Sequence, residues 1–115
     1  MRKKESPAID QEQLVAAWKR TLPTVLNASD KVSVYADEAD PQAIRITILA
    51  EGRSGYEFDF TCRYVDDREV KVQLVDAERD EVTVDERGER IQQMVEDYIR
   101  HIHECAQVLH AETHA

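Results

Sequence analysis

Glycine and proline are scarce in this chain, with three of each among 115 residues. Gly52 and Gly55 stand too isolated to form a glycine-rich loop that would cradle a phosphate. The only two cysteines, Cys62 and Cys105, lack a C-x-x-C spacing. Each falls on the apolar side of its predicted element, so two buried free thiols are expected, not a disulfide. No run approaches the roughly 18–20 apolar residues that a membrane span needs. The dense basic cluster Arg2-Lys3-Lys4 leads into Glu5-Ser6-Pro7 and not into an apolar stretch, so no secretory leader is expected. Bases are short overall, 15 against 24 acids, which leaves a formal charge of −9. Such a surface repels nucleic-acid phosphates. These absences together give the expectation of a cytoplasmic protein without a nucleic-acid or membrane partner and without a cofactor.

What is present is globular composition: 42% hydrophobic and 34% charged residues. A chain of this length folds as one domain and buries roughly two-thirds of its unfolded surface without staples. The clearest pattern is Tyr-Glu-Phe-Asp-Phe-Thr-Cys-Arg-Tyr over 56–64. Tyr56, Phe58, Phe60, Cys62 and Tyr64 fall on one side, and Glu57, Asp59, Thr61 and Arg63 on the other. Side chains alternate across a strand, so this is a strand with an aromatic inner face.

Residues 1–9 are charged and carry Pro7, which predicts a frayed tail ahead of a single domain over 10–115. Asp10 with Gln13 three residues on is a capping-box signature. The helix it opens puts Leu14, Trp18 and Leu22 on one stripe, and Pro23 is expected to end or kink it. Strands are then expected at Val32–Val34, at Ile44–Ile48 with its β-branched alternation, at 56–64 and at Val70–Leu74. Short loops make these neighbours antiparallel. Val82 to Val84 is a weaker edge-strand signal.

A second capping box, Thr83 with Glu86, predicts a final helix from Val84 to about Ala111, with Gly88 letting it approach the sheet. Such a helix measures about 40 Å against ~27 Å for an eight-residue strand. It must overhang the sheet or break. An overhang would leave Ile102, Val108 and Leu109 in need of cover, from the first helix or from a second copy of the chain. The expected fold is α+β: an antiparallel meander of about four strands with both helices on one face, in the order α-β-β-β-β-α. The other face is solvated, and opposite charges on adjacent strands are expected to pair across it.

All four histidines lie in the last predicted helix, and His103, His110 and His114 project to one flank of its apolar stripe. His110 and His114 are spaced i, i+4, as two metal ligands on a helix would be. No H-E-x-x-H accompanies them, and histidines at a helix C-terminus also suit its dipole. A nucleophile would need Cys62 or Cys105 beside a base, and no such signature surrounds either. No serine sits in a G-x-S-x-G elbow. The order helix, strands, helix is similar to that of double-stranded-RNA-binding domains and of frataxins. The acidic start Asp85-Glu86 of the final helix departs from the first family, and the position of Trp18 in a helix departs from the second.

The reading that follows is a non-catalytic interaction or regulatory module. Its expected partner is a basic protein surface, or a second copy in a homodimer through the C-terminal helix. Its interaction surface would draw on Arg45, Glu57, Asp59, Arg63, Val108 and Leu109. The alternatives are a metal or small-ligand module using His103, His110 and His114, and a small enzyme with a pocket between sheet and helix.

Overall fold

The computed structural model describes residues 7–50, 55–80, 82–85 and 87–114. Helix α1 (Gln11–Val25) opens on the expected capping box. The Gln13 N–H donates to Asp10 Oδ1 at 2.8 Å, and the Asp10 N–H donates to Gln13 Oε1 at 3.0 Å. Pro23 does not end the helix, which runs on to Val25. Proline removes one intrahelical bond, but Thr21 and Leu22 before it are buried and Val25 packs against the core, so the last turn is held by packing.

Five strands follow: β1 (Lys31–Ala36), β2 (Ala43–Ala50), β3 (Tyr56–Tyr64), β4 (Val70–Arg79) and β5 (Val82–Thr83). They form one antiparallel meander in the order β1-β2-β3-β4-β5, so the edge strand hinted at by Val82 is real. Helices α2 (Glu89–Val108) and α3 (His110–Thr113) close the chain. The architecture is the expected α+β two-layer arrangement, with one strand more than the expected four. Among the described residues no helix is long and apolar enough to cross a membrane.

The inner face of the sheet carries the core. Ile44, Ile46, Ile48, Phe58, Phe60, Cys62 and Tyr64 are all fully buried, under Trp18 and Leu22 of α1 and Ile102 of α2. The Trp18 indole N–H donates to the Tyr64 hydroxyl at 3.2 Å, with the two rings edge to face at 6.5 Å between centroids. Tyr98 of α2 packs on Phe58 at 5.6 Å and donates its hydroxyl to Asp30 at 3.1 Å. The aromatic face of β3 is thus covered by one aromatic from each long helix, and each brings its polar end to a partner, as a buried tyrosine or tryptophan must.

A bulge between Asp59 and Phe60 leaves Val75 unpaired, because Leu74 faces Phe60 while Asp76 faces Asp59. One inserted residue shifts the side-chain parity of a strand. Before it the inward residues of β4 are Val70, Val72 and Leu74; after it the buried residue is Ala77. Without the bulge, Asp76 and Glu78 would continue onto the core side. With it, both face outward.

The final helix departs from expectation at both ends. Thr83 is not its cap: it pairs with Glu78 in β5, and the helix opens at Gly88 without a side-chain cap. Strand pairing takes the residue that the local signature assigns to capping; Glu86 lies outside the described residues. Gly88 is exposed, and a Cβ there would meet only ordinary contacts at 3.6 and 3.8 Å, so it does not serve close approach to the sheet. At the other end the helix breaks at Leu109, with φ −86° and ψ 0°. Its 20 residues span about 30 Å, comparable to the ~33 Å of ten-residue β4. Ile102 and Leu109 are buried within the single chain. These two therefore need no second copy to cover them, whereas Val108 stays 61% exposed.

Residues 7–9 of the expected tail are tied down. The Ala8 N–H donates to the Thr113 carbonyl at 2.8 Å, and Ile9 packs against the core. Residues 1–6 lie outside the described residues.

Candidate functional site

Among the described residues no helix covers the outer face of the sheet, and the strand register decides what stands beside what. Across β3 and β4, Glu57 faces Glu78, Asp59 faces Asp76, and Arg63 faces Lys71. Arg45 of β2 faces Tyr35 on one side and Thr61 on the other. The expected pairing of opposite charges across strands is therefore not what the register delivers. Like charges directly opposite one another destabilise a sheet, and here three of the four outward pairs of β3 and β4 are of like sign, the fourth being the neutral Thr61–Gln73.

The result is a face divided by sign. Four carboxylates gather at one end, and Arg45, Arg63 and Lys71 lie towards the other. Ligand oxygens of Glu57, Asp59 and Glu78 lie within 4.8 Å of one another, and this is the only such group of three potential metal ligands among the described residues. Partial burial, then the carboxylates of Asp76, Glu57 and Asp59, push the Glu78 carboxyl above its ordinary range. Asp59 finds one compensating donor, the Thr47 hydroxyl at 2.6 Å. At the basic end the Arg63 Nε–H donates to Asp40 at 2.7 Å. The Gln42 N–H above all, and Arg63 with it, hold the Asp40 carboxyl below the usual carboxylate range. Arg45 Nε is buried without a hydrogen-bond partner. Two apolar side chains are exposed on or beside this face, Tyr35 at 45% and Val75 of the bulge at 47%.

The proposed interaction residues separate. Arg45, Glu57, Asp59 and Arg63 share the outer sheet face, whereas Val108 and Leu109 belong to the helical layer on the other side. Val108 is 61% exposed, but Leu109 is 1% exposed and belongs to the core, so it is not a surface contact. Asp76 and Glu78 join the face instead. The expected strand ended at Leu74 and so left Asp76 and Glu78 off the sheet; β4 runs on to Arg79, through a bulge that no local signal marked.

The expected histidine flank keeps its neighbours across the break at Leu109, but among the described residues it forms no group of three potential metal ligands. His103 is exposed on α2, while His110 and His114 lie on and beyond α3 with their rings 4.9 Å apart. His114 Nδ1 lies 2.6 Å from Asp67 Oδ2, and His101 Nδ1 lies 2.9 Å from Glu104. The buried Thr113 hydroxyl donates to the Asp67 carbonyl at 2.9 Å, which fastens α3 to the β3–β4 turn. His103 and His110 line a half-open groove of about 520 Å³ with Arg68, Glu69 and Gln107.

Both cysteines are free and fully buried. Burial pushes the Cys105 thiol up to about 12. Burial, with Cys105 as a neighbour, pushes the Cys62 thiol above the ordinary range. Neither thiol supplies the thiolate that nucleophilic catalysis uses. Comparison with protein-family models, with curated proteins and with solved structures finds no match to this chain.

Proposed function

We propose that this protein is a non-catalytic interaction module that docks a basic protein surface on the acidic end of its open sheet face. The observation that carries the reading is the register of β3 on β4, which sets Glu57 against Glu78 and Asp59 against Asp76. A sheet that served only its own stability gains from opposite charges at these positions. Four like charges on the outer face instead hold a negative potential that steers a cationic partner and is relieved when that partner arrives. Tyr35 and Val75 add exposed apolar area near the charges, and aromatic residues frequently anchor interfaces.

The filled core around Tyr64 and Tyr98 also favours this reading over an enzyme with a pocket at those tyrosines. Tyr64 and Tyr98, which would line a pocket there, are buried side chains bonded to Trp18 and Asp30. Self-association is not part of the proposal, since Ile102 and Leu109 find their cover inside one chain.

The test is capture from extracts of the source cells on immobilised wild-type protein and on a Glu57→Gln, Asp76→Asn, Glu78→Gln variant. A basic partner held by the wild type, released by salt and lost by the variant is the expected outcome. A partner held equally by both would sink the proposal.

A further inference from the structure

A second site lies on the opposite side of the molecule, independent of the acidic face. The groove between the start of β4 and the C-terminal end of α2 is half open and measures about 520 Å³. Its wall carries the Arg68 guanidinium and the His103 and His110 imidazoles against one carboxylate, Glu69. On a chain of formal charge −9, such a lining is unusually rich in cationic and donor groups. Val70 and Ala106 supply an apolar floor, and both are buried.

His110 adds its ring to the wall of the groove. Its Nε2 is buried and has no hydrogen-bond partner, a condition that costs free energy unless a ligand or water meets it. The ring is held in place from behind. It lies 4.9 Å from the His114 ring, which Asp67 fixes at 2.6 Å, and Thr113 ties the same turn to the helix. An apolar floor flanked by an arginine and by imidazole rings is the arrangement of a small-molecule site.

We infer that this groove binds a small organic anion. Arg68 and His103 hold the carboxylate or phosphate group, and Val70 and Ala106, with the His110 ring beside them, receive the hydrocarbon part. An arginine fork suits either oxyanion. A metal ion fits less well. The three-ligand group that forms among the described residues lies on the other face, at Glu57, Asp59 and Glu78.

The test is titration of the whole ¹⁵N-labelled protein with benzoate, phenyl phosphate, inorganic phosphate and zinc chloride, followed by amide shifts. Saturable shifts confined to 68–70 and 103–110 are expected with benzoate or phenyl phosphate. The stronger of the two tells carboxylate from phosphate. Arg68→Ala and His103→Gln alter exposed side chains and are expected to leave the fold intact while weakening that binding at least tenfold. His110→Gln, checked for an unchanged spectrum elsewhere, is expected to weaken it as well. Shifts with zinc but with none of the anions would overturn the inference in favour of a metal. Absence of saturable binding by every anion at millimolar concentration, or equal binding by Arg68→Ala and His103→Gln, would also overturn it.

Discussion

Along β3 the residues Phe58, Phe60 and Cys62 are fully buried, while Glu57, Asp59 and Thr61 between them stand on the solvent side. The same nine residues therefore serve two environments with different demands. On the inner face, every large side chain has a neighbour of matching character: Trp18 against Tyr64, Tyr98 against Phe58, isoleucines of β2 beside the phenylalanines. On the outer face, the register places like against like. Inner contacts are selected by burial, which is worth kilocalories per side chain. Outer contacts are screened by water and worth a fraction of that. A sheet can therefore carry charge repulsion on one face as long as the other face is well filled. That latitude makes the outer face available for a partner.

The comparison breaks most easily from the inside. Phe58→Ala is expected to destabilise the fold by about 3–5 kcal/mol, the usual range for a buried phenylalanine, read from urea denaturation. Tyr64→Phe leaves the buried Trp18 N–H without its acceptor and is expected to cost about 1–3 kcal/mol in the same measurement.

Alkali tests the inner face without mutation. Burial raises Cys62, Cys105 and Tyr64, so the folded state favours their neutral forms. A group whose pKa is raised on folding holds its full contribution below its unfolded value and loses it as pH climbs. Melting temperature should accordingly fall as pH passes the ordinary thiol and phenol values of 9.0 and 10.0. A flat profile between pH 8 and 11 would show that these groups are not held neutral.

The outer face responds with smaller effects of either sign. Glu78 is raised by partial burial and then by its acidic neighbours, so ionisation opposes folding as pH rises from the ordinary 4.5. Glu78→Gln is expected to raise the melting temperature at pH 7, with the gain fading as pH falls towards 4. Asp40 is lowered, so its contribution is present above 3.8 and lost as pH falls below it. Asp40→Asn is expected to lower the melting temperature at pH 7. Deletion of Val75 sharpens the same comparison at the least expense of stability. It removes the unpaired bulge residue but leaves Asp76 opposite Asp59. The far-ultraviolet circular dichroism should be retained and the charge division kept.

Much of the build was legible in local pattern. The alternations of 44–48 and 56–64 named their buried residues, and the Asp10–Gln13 spacing named the start of α1. These signals depend only on neighbours along the chain. The His103, His110 and His114 flank was drawn from an unbroken helix; the helix breaks at Leu109, yet His103 and His110 still line one groove and His110 still lies beside His114. Likewise Thr83 looked like a cap until a partner strand claimed it.

Period and capping thus follow from the sequence alone, because the backbone repeats every two residues in a strand and every 3.6 in a helix. Composition alone also sets the excess of acids over bases. Which acids stand together is a matter of register, and register is settled between strands distant in sequence, by which faces can be buried together. The bulge at Val75, the like-charge pairs and the groove lined by residues 68–70 and 103–110 exist only in the assembled fold. They arise where burying the inner face constrains positions that no local pattern relates.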